Sequence, residues 1–276
     1  MLGIAQDGGV PHVGCAKPCC ASARASGTSL GPACLAVRDR QNGAVVLVEA
    51  TPAIESQLAR LGVRQGNPVD AVLITHAHVG HYLGLAHFGR EVAATRALPV
   101  WGTERLVGFL EKNGPWSQLT ALGQIAPRRI EPEVPFEPLP GLVVTAITVP
   151  HRDELSDTVA FKIRGERRTV LFVPDVDAWH ERPELLEKLL DGVDLAFLDG
   201  TFWDGRELPG RNLNEIPHPP MVDTMHRLAE RAKARPGTLR FIHLNHTNPA
   251  LRDPEIRRRI EAAGFAVAQE GERHPL

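Results

Sequence analysis

Aromatic side chains are scarce in this chain: Phe, Trp and Tyr together make up 5% of its 276 residues, with a single tyrosine. That leaves few stacking platforms for single-stranded nucleic acid. Neither sign of charge is in excess, since 31 Lys and Arg face 33 Asp and Glu for a net charge of −2. There is thus no basic excess to gather a nucleic-acid backbone. No apolar run approaches the roughly 20 residues of a membrane span. Residues Met1-Leu-Gly-Ile-Ala-Gln6 lack a charged segment followed by a long apolar one. No signal peptide is read, and a cytoplasmic location is expected. Cysteine is also sparse, but Cys15, Cys19, Cys20 and Cys34 all lie in the first 34 residues. In a reducing compartment that clustering reads as metal binding before disulfide. The 43% hydrophobic and 23% charged shares are those of an ordinary globular protein. The length suits one large domain or two small ones. We expect a single domain over 1–276, with halves of about 1–150 and 151–276.

Histidine is concentrated instead. In the stretch from Asp70 to Gly84, Ala71, Val72, Leu73 and Ile74 form a short apolar run suited to a buried strand, and His76, His78 and His81 follow within six residues. Imidazole is the commonest metal ligand near neutral pH. On an extended backbone the i and i+2 side chains point the same way. His76 and His78 can therefore grip one ion, while His81, past a turn, faces a point a few ångströms away. Other apolar runs end in further donors: 142–149 in His151, 169–173 in Asp175, 195–198 in Asp199 and 239–242 in His243. The C-terminal ends of strands are where α/β folds place their sites. Strands are also expected at 2–6, 33–37, 44–49, 158–163 and 265–268. Helices are expected at 52–61, 82–90, 103–112, 183–190, 219–234 and 253–263. Residues 125–141, rich in proline and polar groups, read as a connection ending in a turn. The long loop 201–218 reads as functional rather than idle. The pattern alone says only α/β or α+β.

His76-x-His78-x-Gly80-His81 resembles the H-x-H-x-D-H signature of the metallo-β-lactamase superfamily. The resemblance implies an αββα four-layer sandwich, two mixed β-sheets flanked by helices. It also implies that His76, His78, His151 and Asp175 hold a first metal, and His81, Asp175 and His243 a second. Gly80 stands where the signature has Asp and carries no ligand atom. The second site is thus short of a carboxylate, and Gly80→Asp is expected to tighten it. Asp199 is left with three readings: orienting a histidine, replacing the missing carboxylate, or capping the turn at Gly200. Asp153 and Asp177 read as surface or turn residues.

Two further stretches resemble a narrower branch, that of pyrroloquinoline quinone biosynthesis protein B and its relatives. They are Leu2-Gly-Ile-Ala-Gln-Asp-Gly8-Gly9-Val-Pro11-x-x-x-Cys15 with Cys19 and Cys20, and Phe241-Ile-His243-Leu-Asn-His246-Thr247-Asn248-Pro249. The N-terminal cysteine loop also resembles that of the phosphonate-pathway cyclic phosphodiesterases, where a histidine three residues past the last active-site histidine completes a structural zinc site. The resemblance implies such a zinc at Cys15, Cys20, His246 and Cys19, although adjacent Cys19 and Cys20 are awkward partners for one ion. Cys34 reads as an ordinary buried strand residue.

The chemistry expected of the histidine cluster is hydrolytic. A metal with an open position lowers the pKa of its bound water to near 7, and the resulting hydroxide attacks a carbonyl or phosphorus. Asp175, His81 and Asp199 are assigned catalytic roles. The expected function is a zinc-dependent hydrolase of an ester-like or phosphodiester bond in a small molecule. The alternatives are an iron-dependent oxidoreductase or cofactor-biosynthesis enzyme, and a non-catalytic metal-binding protein. One or two zinc ions are expected at the active site, with iron or manganese as substitutes, beside the structural zinc. Residues 113–118 with Trp116, and the 201–218 loop, are read as walls of the substrate site. Arg152, Arg206, Arg211 and His218 are read as contacts for an anionic group. The expected partners are a small-molecule substrate and at most a second copy of the chain in a homodimer, with no nucleic acid and no membrane.

Overall fold

The computed structural model describes residues 1–62, 64, 66–177, 179, 182–210 and 217–276. Arg211 lies outside the described residues. Among these residues, one sheet holds β1 (Leu35–Arg38), β2 (Val45–Val48), β3 (Ala71–Leu73), β4 (Leu98–Thr103) and β5 (Ile125–Ile130) in that spatial order. The first pair is antiparallel and the rest are parallel. The other sheet holds β6 (Phe136–Leu139), β7 (Leu142–Thr148), β8 (Val159–Arg164), β9 (Thr169–Val173), β10 (Leu195–Asp199), β11 (Leu239–Ile242) and β12 (Ala266–Val267), again in spatial order. It is antiparallel from β6 to β9 and parallel from β9 to β12.

Period-two alternation assigns each strand's side chains to a layer. Val46, Val48 and Leu73 point between the sheets, where they meet Val144, Phe161, Phe172 and Phe197 of the second sheet. Val45, Leu47 and Val72 point outward. There they are covered by α2 (Ile54–Ala59), α4 (Glu104–Lys112) and α5 (Trp116–Ala121), through Ile54, Leu106, Leu110 and Leu119. The outer face of the second sheet carries Leu171, Val173, Leu198 and Phe241. It is covered by α6 (Pro183–Leu190), α7 (Met221–Arg227), α8 (Ala229–Ala234) and α9 (Pro254–Ala262). The result is the expected four-layer sandwich of two mixed sheets between helices. Among the described residues no helix is long and apolar enough to cross a membrane.

Several elements depart from the sequence expectation. Residues 125–141 form β5 and β6 rather than a connection. Their prolines, Pro127 and Pro138, lie on strands at the rim of a sheet, where a missing N–H is tolerated. The segment 98–103, to which the sequence pattern assigns no element, is β4, with Pro99 and Gly102 inside it. Instead of a strand at 2–6, the N-terminal segment makes isolated bridges: Gly3 to Cys34, and Ala5 to Pro32 and Leu244. Residues 83–88 form a 3-10 turn after the short helix α3 (Val79–Tyr82). The expected helix 219–234 is broken at Leu228 into α7 and α8. Trp116, read as a wall of the substrate site, is buried against Tyr82 and Phe109 in the outer core.

Candidate metal centre

The strand ends converge as their spacing suggests. His76 and His78 follow β3, His81 sits in α3, His151 follows β7, Asp175 follows β9, Asp199 closes β10 and His243 follows β11. His76, His78, His151 and Asp175 form one group, with all ligand atoms within 4.8 Å of one another. His76 Nε2 lies 2.9 Å from His78 Nδ1, and His151 Nε2 lies 3.1 Å from it. Asp175 Oδ2 is 3.4 Å from His76 Nε2 and 3.2 Å from His151 Nε2. The same oxygen is 3.7 Å from His81 Nε2 and 3.8 Å from His243 Nε2. One carboxylate oxygen therefore stands between two sets of imidazoles.

A residue that reads as part of a turn completes the second set. Asp7 groups with His81 and His243. Its Oδ1 is 3.4 Å from His81 Nε2 and 3.8 Å from His243 Nε2. A Cβ placed on Gly80 would collide with Asp7, meeting its Cα at 2.7 Å. The place that a side chain at position 80 would take is already filled, so Gly80→Asp is expected to disturb the second site rather than tighten it. No signal local to the 76–81 loop reveals this, because Asp7 lies in the N-terminal segment, far from the loop in the chain.

The outward nitrogens of His76, His78, His151 and His243 are each held by an oxygen. Thr75 Oγ1 donates to Glu49 Oε1 at 2.5 Å and so accepts from His76 Nδ1 at 2.9 Å. Thr201 Oγ1 likewise donates to Asp199 Oδ1 at 2.7 Å and accepts from His243 Nδ1 at 3.0 Å. In both rings the proton sits on Nδ1 and the Nε2 lone pair faces inward, as a metal ligand requires. His151 Nδ1 is 2.9 Å from Asp177, which is therefore a supporting residue rather than the surface or turn residue its sequence context suggests. His78 Nε2 is 3.3 Å from Glu154, whereas His81 Nδ1 faces Glu49 Oε1 at 3.4 Å as an ion-pair contact without a hydrogen bond. Glu49 and His243 both adopt positive φ, at 74° and 59°, a backbone strain that non-glycine residues carry mainly at functional sites.

Asp199 is fully buried and accepts from Thr201 N and Oγ1 on one oxygen and from Val176 N and His218 Nδ1 on the other, and with Asp175, His218 and His243 it forms a further group whose ligand atoms lie within 4.8 Å of one another. It orients His218 and, through Thr201, His243. His218 is the neighbour that the sequence reading placed only loosely. Its Nδ1 is 2.8 Å from Asp199 and 3.4 Å from Asp175 Oδ1. Burial works against its protonation, but the charges of Asp199 and Asp175 outweigh it and push its pKa up to about 9. Arg152 pairs with Glu154 and Arg206 with Asp204. Asp153, read as a surface or turn residue, is exposed and pairs with Arg105.

The donor set fits divalent metal ions. Asp7 Oδ1, His81 Nε2, His243 Nε2 and Asp175 Oδ1 are buried and have no hydrogen-bond partner, an expensive condition unless something else engages them. In the metal-free protein, protons crowd into the same space. Burial disfavours the charged ring of His81, but Glu49 with Asp7 pushes its pKa up to about 10. Burial likewise opposes His151, but Asp175 and then Asp177 raise it to about 10. Burial also opposes ionisation of Asp7 and Asp175, yet the surrounding histidines hold both carboxyls well below the usual range.

A second cluster brings together Cys15, Cys19, Cys20 and His246, with ligand atoms within 4.8 Å of one another. Here the awkward neighbours are reconciled by a helix. The helix α1 (Pro18–Ser26) starts at Pro18, so Cys19 and Cys20 lie in its first turn with their sulfurs 4.0 Å apart. Cys20 Sγ accepts from His12 N at 3.2 Å, and the His12 ring packs on His246 at 4.6 Å. Cys34 stays apart, buried beneath Glu49.

This sandwich with histidines at its strand ends defines a metallo-β-lactamase fold, and the model of the beta-lactamase superfamily domain matches residues 45–244. The chain belongs to that superfamily and, within it, to the branch that holds the coenzyme PQQ synthesis protein B sequences. It is 30% identical to coenzyme PQQ synthesis protein B of Methylobacterium nodulans, over 98% of this chain and 97% of that one. Among solved structures it resembles Zn2+-bound PqqB from Methylobacterium extorquens, with a TM-score of 0.83 at 24% identity, covering 100% of this chain and 98% of that one. It also resembles a diphosphatase of the PhnP family, with a TM-score of 0.70 at 21% identity over 98% and 93% of the two chains. These two likenesses concern the fold.

Proposed function

We propose that this chain is a metal-dependent enzyme of the PQQ synthesis protein B type, acting on a small-molecule intermediate at a two-ion centre. Zinc is the resident metal in this reading, and iron or manganese are the substitutes that a set of imidazoles and carboxylates accepts. The observation that carries it is Asp175 Oδ2, which stands 3.2–3.8 Å from four inward-facing imidazole nitrogens in two sets. His76, His78, His151 and Asp175 would hold a first ion, and His81, His243 and Asp175 would serve a second. When bound, the ions supply Lewis acidity and lower the pKa of a ligated water. The chain's own residues do the rest. Thr75, Glu49, Thr201 and Asp177 fix the tautomer and tilt of the rings, and Asp199 holds His218 in its charged form beside the shared carboxylate. The PQQ synthesis protein B relatives, alike over nearly their whole length, support a place in cofactor biosynthesis.

A second reading, hydrolysis of an ester-like or phosphodiester bond, is favoured by the pair His218 and Asp199. A charged imidazole held by a buried carboxylate is suited to protonate a leaving alkoxide. Two assays separate the readings. Expression in a cell lacking PQQ synthesis protein B restores the cofactor if the first holds, and a metal-loaded, folded chain that fails to restore it overturns that reading. Turnover of bis-p-nitrophenyl phosphate, p-nitrophenyl esters or lactones by the metal-loaded protein supports the second.

A further inference from the structure

We propose that Asp7 supplies the carboxylate that position 80 lacks, so that a ligand of the second ion has moved from the histidine loop to the N-terminal arm. The inference rests on the two-ion reading of the site. Three observations carry it. Asp7 Oδ1 lies 3.4 Å from His81 Nε2 and 3.8 Å from His243 Nε2, and all three atoms are buried without a hydrogen-bond partner. A side chain at position 80 and Asp7 exclude each other, since a Cβ there would meet the Asp7 backbone at 2.7 Å. The glycine is thus what lets Asp7 reach the centre, not a sign of a decayed site. Finally, the arm is fixed around this contact. Gln6 N donates to Leu244 O at 2.9 Å, and Asn245 Nδ2 donates to Gln6 Oε1 at 2.5 Å, both one or two residues past His243. Gly9 takes φ +66° and closes the turn with its N–H on Gln6 O at 2.7 Å, while a Cβ on Gly8 would strike the His12 ring at 2.6 Å. Asp7-Gly8-Gly9 is therefore a ligand-presenting turn in which the glycines allow the close approach.

The test is a Co2+ titration of chelator-stripped full-length protein. The cysteine cluster is counted separately by its thiolate charge-transfer band. Wild type is expected to take two ions at the histidine site. Asp7→Ala is expected to lose the second of them, and the isosteric Asp7→Asn to weaken it about tenfold or more, with the first ion and the thermal melting of the metal-free protein unchanged. Gly80→Asp is expected to lower the second ion's affinity as well. Two ions of wild-type affinity in a folded Asp7→Asn protein overturn the proposal while leaving the two-ion reading standing, as does tighter binding in Gly80→Asp. A single ion at the wild-type histidine site overturns both.

Discussion

His218 has the sharpest consequence at the scale of single residues. Its ring touches Asp199 and Asp175 but belongs to neither imidazole set facing Asp175 Oδ2. His218→Ala is expected to lower kcat by about 10²–10⁴ with metal content unchanged, as removal of a general acid does. Loss of metal in step with activity would show a structural ligand instead. Because its pKa is raised to about 9, the charged form is present below that value and lost above it. In the metal-loaded protein, where cations held by Asp175 weaken that pull, activity should therefore decline on the alkaline side at or below about pH 9, and a pH–rate profile that stays flat to pH 10 would remove His218 from the proton-donating role. Asp177 gives a second test. Asp177→Ala frees His151 Nδ1, and its cost should be about 10–100-fold in affinity for the first ion, read by competition with a chelating dye.

How far the sequence discloses this site follows from where each partner sits. His76, His78 and His81 are legible because the signature is local, and His151, Asp175, Asp199 and His243 because each ends an apolar strand run. Asp7 is not legible, since ahead of two glycines and a proline it reads as a turn former. Glu49, Thr75 and Thr201 are invisible for a related reason: their role is a hydrogen bond to a ring supplied by another element, which leaves no periodic mark.

At the scale of elements, the N-terminal arm is the part to watch. It carries the Asp7 turn, His12 and the start of α1, and His12 joins Cys20 and His246 of the cysteine cluster. A cavity of about 150 Å³ lined by Gln6, Asp7, Gly8, Gly9, His12 and His246 separates the two centres. Binding of an ion to the folded cluster alone stabilises the protein by mass action, about 4 kcal/mol at a thousandfold excess over Kd. For a chain of this size that is about 10 °C in Tm. Cys20→Ser is expected to lose that increment in zinc, as measured by calorimetry. A Cys20→Ser protein that melts with wild type in both zinc and chelator would mean that the cluster holds no ion. Local patterning was a good guide to elements such as β7, β9 and α4, whose Thr103 cap accepts from Leu106 N. It failed at β5 and β6 and assigned nothing at β4, where prolines and a glycine mimic loop chemistry and only the neighbouring strands reveal a sheet.

At the scale of the whole molecule, two sheets from the two parts of the chain meet at one rim, and charge in that rim is balanced by protons until metal arrives. His81 and His151, both raised to about 10, carry protons at neutral pH in the metal-free protein. Metal uptake must displace them, so affinity should rise with pH between 6 and 8, and calorimetry in buffers of different ionisation enthalpy should detect proton release. Uptake without proton release would contradict the assigned ligands. The fold class is legible from strand and helix punctuation joined to the histidine signature, but the order of strands across each sheet is not, because pairing depends on contacts distant in sequence.

In the proposed centre one carboxylate, Asp175, would serve two metal positions. The most direct measurement is metal content by plasma mass spectrometry on protein purified without chelator and reconstituted with zinc. The expected result is about three ions per chain, two at the histidine centre and one at the cysteine cluster, falling to about one in Asp175→Ala because both histidine positions lose their shared ligand. An Asp175→Ala protein that keeps all the zinc of wild type, or a wild type that takes up no ion beyond the cysteine cluster, would contradict it.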